Sequence, residues 1–440
     1  MVGEIIAAIL VLVLFILIPV VAAKPKLDLT AYAIMAMIIG GIVTVLAFPS
    51  PAPDFIKFIR FEPLIYIISI NIIVIIMEKN SVFQFLAVEI IHFTKSNPRV
   101  FFAMICIMAT FTSAVLEDVS VALIYMPIVV QACKVLKIRV EPFIFGIAVC
   151  LNIGNLFMPF SNSQNIIIAA DFHLGVAWFA AFMFPILVLS MLLVIWYFDF
   201  FEIKKQEPPA EEFKDVLLKV LDAKLVVKDP RKFKTAAITF IIIVACLVII
   251  PYTFIVASIG AIVMCWLERE SLPDVFKKVD WSTVFFFIAL FIITGCMVNN
   301  GTMGLISAFV IQIATGNVLV ASIVILVVSS LITSALSPNP ATVFFLPVFS
   351  TMFALVPSLG GTWATQAPIL VAFILGLNIG GNFLVQGAPP YVVTVAIGKK
   401  SDIPGVNYKS MTRVGIKFSV LHILLCIGYL AIVCAILGVL

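Results

Sequence analysis

The chain has 440 residues, 63% of them hydrophobic and 11% charged, with a net charge of +4 and a mean hydropathy of +1.24. That balance leaves no room for a water-soluble domain of any size and describes an all-α polytopic membrane protein. The small basic excess fits loops on one side of a membrane and needs no nucleic-acid partner.

The first apolar run, Ile5 to Ala22, lacks a basic leader and a small-residue cleavage site and is expected to be a retained helix. After it come the loop of Lys24 and Lys26, a second apolar run, and a loop with Lys57 and Arg60. The segment Lys79 to Arg99 reads as amphipathic and surface-lying, with Glu89 and His92 solvated. Val100 to Cys133 then contains no charged residue except Glu117 and Asp118. Its two apolar arms, Val100 to Ser113 and Val121 to Lys134, are each ~14 residues, or ~21 Å of helix, too short for ~30 Å of hydrocarbon. Flanked by Arg99 and Lys134, they predict a re-entrant hairpin.

Phe179 to Phe198 is long enough to span, and the mixed-charge segment Asp199 to Lys234 reads as a cytoplasmic linker. Further runs follow at Thr235 to Ile250, Val284 to Met297 and Ser419 to Leu437. From Trp281 to Gly398 there is no Asp, Glu, Lys, Arg or His. Within that stretch Pro338-Asn339-Pro340 separates Asn317 to Ala335 from Ala341 to Val356, and prolines so placed forbid one continuous helix. A second hairpin is expected there, inserted from the outside. Placing the basic loops inside leaves only Lys57 and Arg60 outside. The cysteines are scattered without metal-ligand spacing and read as small core side chains.

The halves echo one another. Thr112-Ser113-Ala114-Val115 matches Thr333-Ser334-Ala335-Leu336, and each precedes a helix containing a proline, Pro127 or Pro347. Leu151-Asn152-Ile153-Gly154 matches Leu377-Asn378-Ile379-Gly380, and each is followed by polar, helix-breaking residues. We therefore expect two inverted repeats of about five transmembrane helices plus one re-entrant hairpin, with broken helices at the midplane. Residues 1–198 would form the first repeat, with its hairpin at 99–136 and broken helix at 141–172. Residues 199–234 would be the linker. The second repeat would occupy 235–440, with its hairpin at 317–356 and broken helix at 367–398. This is the architecture of secondary transporters, in which unwound backbone at depth lines the binding site. An ion channel would not need the symmetry, and no enzyme motif is present, so no enzymatic activity is expected.

Ser113 through Asp118 to Pro127, then Asn152-Ile153-Gly154 and Ser161-Asn162-x-x-Asn165-Ile166, resemble the ion transporter superfamily over most of the chain. The last stretch, with Ala170-Asp171-Phe172, is most similar to arsenite permeases. The resemblance, which extends to NhaD-type sodium/proton antiporters, implies a proton- or sodium-coupled antiporter or permease in the cell membrane. The alternative is a sodium-coupled di- or tricarboxylate symporter of the citrate or succinate kind. Against that alternative, neither hairpin tip carries the Ser-Asn-Thr motif of dicarboxylate symporters.

Candidate binding residues are Glu117, Asp118, Asn152, Ser161, Asn162, Asn165, Asn339, Asn378 and Asn382. Sodium takes about six hard oxygens, so Glu117, Asp118, Asn152 and Asn162 form a candidate Na+ set. No other cofactor is expected. Adjacent buried carboxylates also resist ionising together, so one of the pair is a candidate proton carrier. A different reading has Asp118 simply capping a helix at the surface. Asn152 and Asn378 likewise have a structural alternative as interhelical glue. Expected partners are a small inorganic or organic ion, H+ or Na+, the lipid bilayer and a second copy in a homodimer.

Overall fold

A computed structural model describes residues 2–22, 27–48, 54–94, 97–210, 212–213, 227–250, 252–313, 317–336 and 338–440. All regular structure among them is helical. Nine of these helices are long and apolar enough to cross a membrane, or ten if one bent pair counts as a single span.

The first half runs α1 (Val2–Ala22), α2 (Leu29–Ala47), α3 (Phe61–Lys79), α4 (Val82–Phe93), α5 (Pro98–Ser113), α6 (Asp118–Leu136), α7 (Glu141–Gly154), α8 (Ser163–Asp171), α9 (Val176–Phe182) and α10 (Phe184–Phe198). The second half runs α11 (Pro230–Ile249), α12 (Thr253–Leu267), α13 (Trp281–Asn299), α14 (Thr302–Ile313), α15 (Val318–Leu336), α16 (Pro338–Leu355), α17 (Trp363–Gly380), α18 (Pro389–Lys400) and α19 (Tyr408–Leu437). In each series a long helix is followed by a 12-residue helix, a pair of helices and a helix that breaks. Part of the expected linker, residues 211 and 214–226, lies outside the described residues.

Sequence and structure differ at three places. The helices at the two expected hairpins are longer than the charge-free runs suggested: α5 has 16 residues, α6 has 19 and α16 has 18, and α6 and α16 are long enough to cross. Turns beyond the apolar stretch are added where Pro98 starts a helix without losing a needed N–H, and where Lys137 closes α6 in the left-handed conformation. The run expected from Phe179 is interrupted, and its long helix starts at Phe184, because Pro185 cannot continue the preceding turn. Finally, α8 and α9 meet at 110° across a short break.

Burial sorts the bundle into shells. In α17, 83% of the span is buried, against 28% in α2 and 22% in α11, so the broken helices form the centre and α2 and α11 face lipid. Core rings such as Phe345, Phe349 and Phe373 pack against one another around α17. Ion pairs tie helix ends together: Arg99 to Asp199 (2.6 Å), Lys79 to Glu270 (2.6 Å) and Arg139 to Glu202 (3.2 Å). At the opposite end of α3 from Lys79, Arg60 pairs with Asp171 at the end of α8.

Candidate functional site

Two tight helix contacts position the breaks. Gly154 ends α7 against α5, where a Cβ would overlap Ser113 Oγ and the Thr110 carbonyl. Gly380 ends α17 against the backbone of Ser330 on α15 in the same way. Ser113 Oγ completes the first contact by donating to the Leu151 carbonyl (2.8 Å). The paired Asn-Ile-Gly sequences are thus places where a helix can stop while pressed against its neighbour.

A helix end leaves carbonyls without partners, and in the first break side chains take them up. Ser161 Oγ donates to the carbonyls of Asn155 (2.5 Å) and Met158 (2.9 Å). Asn165 Nδ2 donates to the Asn155 carbonyl (2.6 Å), the Met158 carbonyl (3.2 Å) and Ser161 Oγ (3.2 Å). Asn162 restarts the chain as the N-cap of α8, its side chain accepting from Asn165 N (2.8 Å). The second break consists of 3₁₀ turns at Gly381–Phe383 and Val385–Gly387, after which Pro389 opens α18.

The two breaks bond to each other. Asn152 Nδ2 donates to Asn382 Oδ1 (2.5 Å) and to the Asn378 carbonyl (3.2 Å). Asn378 Oδ1 accepts from Asn162 Nδ2 (3.1 Å) and Gln164 Nε2 (2.9 Å). Residues more than 200 positions apart therefore share one amide cluster, and all but the half-exposed Asn162 are buried.

The acidic pair is divided between two environments. Asp118, the first residue of α6, is buried and accepts from Asn155 Nδ2 (3.1 Å), with the backbone amides of the first turn facing its carboxylate. Glu117, at the N-cap, makes no side-chain capping bond and is exposed. Its charged neighbours besides Asp118 are Glu78 and Asp280.

Asp118, Asn152, Ser161, Asn162, Asn165, Asn378 and Asn382 thus come together. Asn339 sits half-buried in the first turn of α16 and takes no part in the hydrogen bonds that join the cluster. Sequence reasoning missed Asn155 and Gln164, although both are amides inside a polar break, the very signal that selected Asn162 and Asn165. Glu78 and Asp280 carried no such signal, since each sits at a helix end like any solvated acid. Glu89 is exposed, as is His173, which has a left-handed φ of 53° after α8.

Around Asn378 and Asn382, amide N–H groups converge from Asn152, Asn162 and Gln164. Asn155, which donates to Asp118, and Asn165, which donates to the Asn155 carbonyl, each leave a buried Oδ1 with no hydrogen-bond partner among the described residues. Buried acceptors left unpaired are costly, about 1–3 kcal/mol each, and a cation is a fitting partner for them. Among the described residues no three His, Cys, Asp or Glu side chains form a metal-ligand group.

A lipid-embedded bundle with facing helix breaks, amide-lined and flanked by a buried acid, belongs to the class of membrane transporters. The sequence profile of the citrate transporter family matches residues 2–376, and the chain belongs to that family. It is 24% identical over 378 residues to an uncharacterized transporter of Mycobacterium tuberculosis, spanning 84% of this chain and 86% of the relative. It is 21% identical over 463 residues to the Homo sapiens P protein, spanning 87% of this chain and 54% of that protein. The structure of Neisseria gonorrhoeae MtrF, described as one of a class of antimetabolite efflux pumps, superimposes with a TM-score of 0.58 at 12% identity. It covers 97% of this chain and 94% of its own, a likeness of fold.

Proposed function

We propose that this chain is a cation-coupled secondary transporter of a small polycarboxylate of the citrate kind. The observation that carries the reading is the buried amide cluster joining the two breaks, with the buried Asp118 on Asn155 beside it. Asn152, Asn162 and Gln164 would turn their N–H groups from Asn378 and Asn382 to the substrate carboxylates, helped by the α8 N-terminus. Asp118, Asn155 and Asn165 would hold Na+ or, at Asp118, a proton. A bound Na+ would balance Asp118, and the incoming polyanion would need further cations. Of the Na+ set expected from sequence, Asp118 would keep that role, Asn152 and Asn162 would serve the substrate instead, and Glu117 is exposed outside the cluster.

Charge balance supports coupling. The cluster contributes one carboxylate and several amides but no Lys or Arg, so a polyanion can enter only with compensating cations. The family match also favours the carboxylate over arsenite. A cation/proton exchanger of the NhaD type is the second reading, favoured by the exposed Glu117 beside Glu78 and Asp280. In either case the matching order of elements in the two halves supports inverted repeats, with the 199–234 linker on the cytoplasmic side of the plasma membrane.

The test is flux into proteoliposomes under imposed pH or Na+ gradients, comparing citrate, arsenite and Na+. Citrate uptake should be saturable and gradient-driven, and Asp118→Asn should reduce it at least tenfold. Absence of citrate flux under every gradient, with Na+/H+ exchange intact, would replace this reading by the second.

A further inference from the structure

Helix α10 runs on past Phe198 through one wide turn, Asp199–Ile203, closed by Lys204 N donating to the Asp199 carbonyl five residues back (2.9 Å). Wide turns of this kind admit an extra residue and are frequent at functional sites. Here the turn sends two acids back to the bundle and two rings outward. Asp199 takes Arg99 (2.6 Å) and Glu202 takes Arg139 (3.2 Å), while Phe200 and Phe201 join Trp196 on the exposed face. Trp196 stacks on Phe200 (6.0 Å between ring centres), and Tyr197 packs on Phe201 (4.9 Å).

The cations around these rings sit on aromatic faces instead of carboxylates. Lys417 of α19 lies over the Tyr197 ring (4.4 Å) and donates to its hydroxyl, and Lys205 approaches Phe201 (5.8 Å) as Lys204 does Phe200 (5.9 Å). Arg413 is exposed one turn before Lys417 on α19. None of these four forms an ion pair among the described residues, and both acids of the wide turn are already held by Arg99 and Arg139. Lys205 and Lys417 thus flank one tyrosine–phenylalanine pair with their charges unmatched.

From this end α10 and α19 run side by side. Phe198 stacks on Phe418 (5.4 Å), and at the far end Tyr429 Oη donates to the Phe182 carbonyl (2.6 Å). The outer faces expose Leu189 and Leu192 on one helix and Val420 and Leu424 on the other. Aromatic side chains at the end of a span mark the level of the headgroups, so the unmatched cations stand at the height of lipid phosphates and the aliphatic side chains at that of acyl chains. A soluble anion would leave the rings and the aliphatic faces without a partner. A second copy docked by twofold symmetry would bring the same unmatched cations against one another.

We propose that the α10–α19 face is a binding site for an anionic phospholipid, its phosphate held by Lys205, Arg413 and Lys417 and its chains laid along the two helices. Nothing in this depends on which cargo is carried. The face is nonetheless tied to the second break: Gly415, between Arg413 and Lys417, has no room for a Cβ against the Asn382 carbonyl, and Ser419 Oγ donates to the Ile379 carbonyl (3.3 Å). Headgroup binding therefore steadies the helix that backs that break.

The experiment uses the full-length protein in neutral detergent, with phosphatidylglycerol or phosphatidylcholine titrated into the micelles and the melting temperature as readout. Phosphatidylglycerol should raise the wild-type melting temperature well beyond phosphatidylcholine. Its half-saturating mole fraction should rise roughly fivefold in Lys205→Gln, and by about tenfold or more in the Lys205→Gln/Lys417→Gln double variant, as expected for ~1 kcal/mol per basic side chain at the surface. The matched control Lys399→Gln/Lys400→Gln removes the same charge from the end of α18 and should shift it by less than about twofold. Equal responses to the two lipids overturn the proposal, as does an equal shift in the control, which would mean diffuse surface attraction. A rise reproduced by inorganic phosphate would mean a soluble anion, and one that follows protein concentration without phosphatidylglycerol would mean a second copy; either result also overturns it.

Discussion

Gly154→Ala isolates the contact on which the first break depends. The added methyl would overlap Ser113 Oγ and the Thr110 carbonyl, one a side-chain atom and the other backbone. The hydroxyl can rotate away, but it then gives up its 2.8 Å bond to the Leu151 carbonyl, worth about 1 kcal/mol. The carbonyl belongs to α5 and can move only with the helix, and overpacking of that kind costs about 1–3 kcal/mol. The expected loss is therefore about 2–4 kcal/mol, less the few tenths that Ala regains over Gly at a helix end. Gly428→Ala is the control, since that glycine lies within α19 with nothing near its missing Cβ. It should be neutral or stabilising by up to about 1 kcal/mol. Thermal denaturation of both variants in one detergent, with citrate flux alongside, makes the comparison. Equal melting temperatures and equal flux would show that close approach at Gly154 is not what shapes the break.

Asn378→Asp sets a carboxylate where an amide oxygen now accepts from Asn162 and Gln164, and its negative charge should raise the citrate KM at least tenfold while the protein still folds. A KM within twofold of wild type would contradict the donor-side assignment. Arg60 and Asp171 form a partly exposed pair between α3 and α8, so a double-mutant cycle with Arg60→Ala and Asp171→Asn should give a coupling of only about 0.5–1 kcal/mol that shrinks in high salt. Just past α12, burial raises the Glu268 carboxyl above the usual carboxylate range, partly offset by Lys232 and Asn80. The folded state then binds this proton more tightly than the unfolded state, so stability falls as pH rises from the ordinary carboxylate value through the raised one. Glu268→Gln should remove that slope and be more stable at neutral pH, read from melting temperature against pH.

The class of fold was legible because lipid imposes strong rules: apolar runs must be helices of a minimum length, and prolines interrupt them wherever they fall. The Asn-Ile-Gly repeats also showed where helices stop. Helix ends were less legible. The run from Phe179 hid the stop before Phe184, and the hairpin arms continued past their apolar cores, because hydropathy is nearly the same on both sides of such boundaries. For the site, the sequence supplied the residue types but not their grouping. Glu117 and Asp118 are neighbours in the chain, yet one is exposed toward Glu78 and Asp280 and the other is buried on Asn155.

By itself, then, the sequence determined a polytopic helical bundle, two halves with matching breaks and a short set of polar residues at those breaks. Only the tertiary structure decided which amides donate to which and that Asn155 and Gln164 complete the cluster. The physical reason is that a helix break is local, set by the chain's own backbone, whereas the partner of a freed polar group is whichever residue packing brings within about 3 Å. Here that residue is often more than 200 positions away.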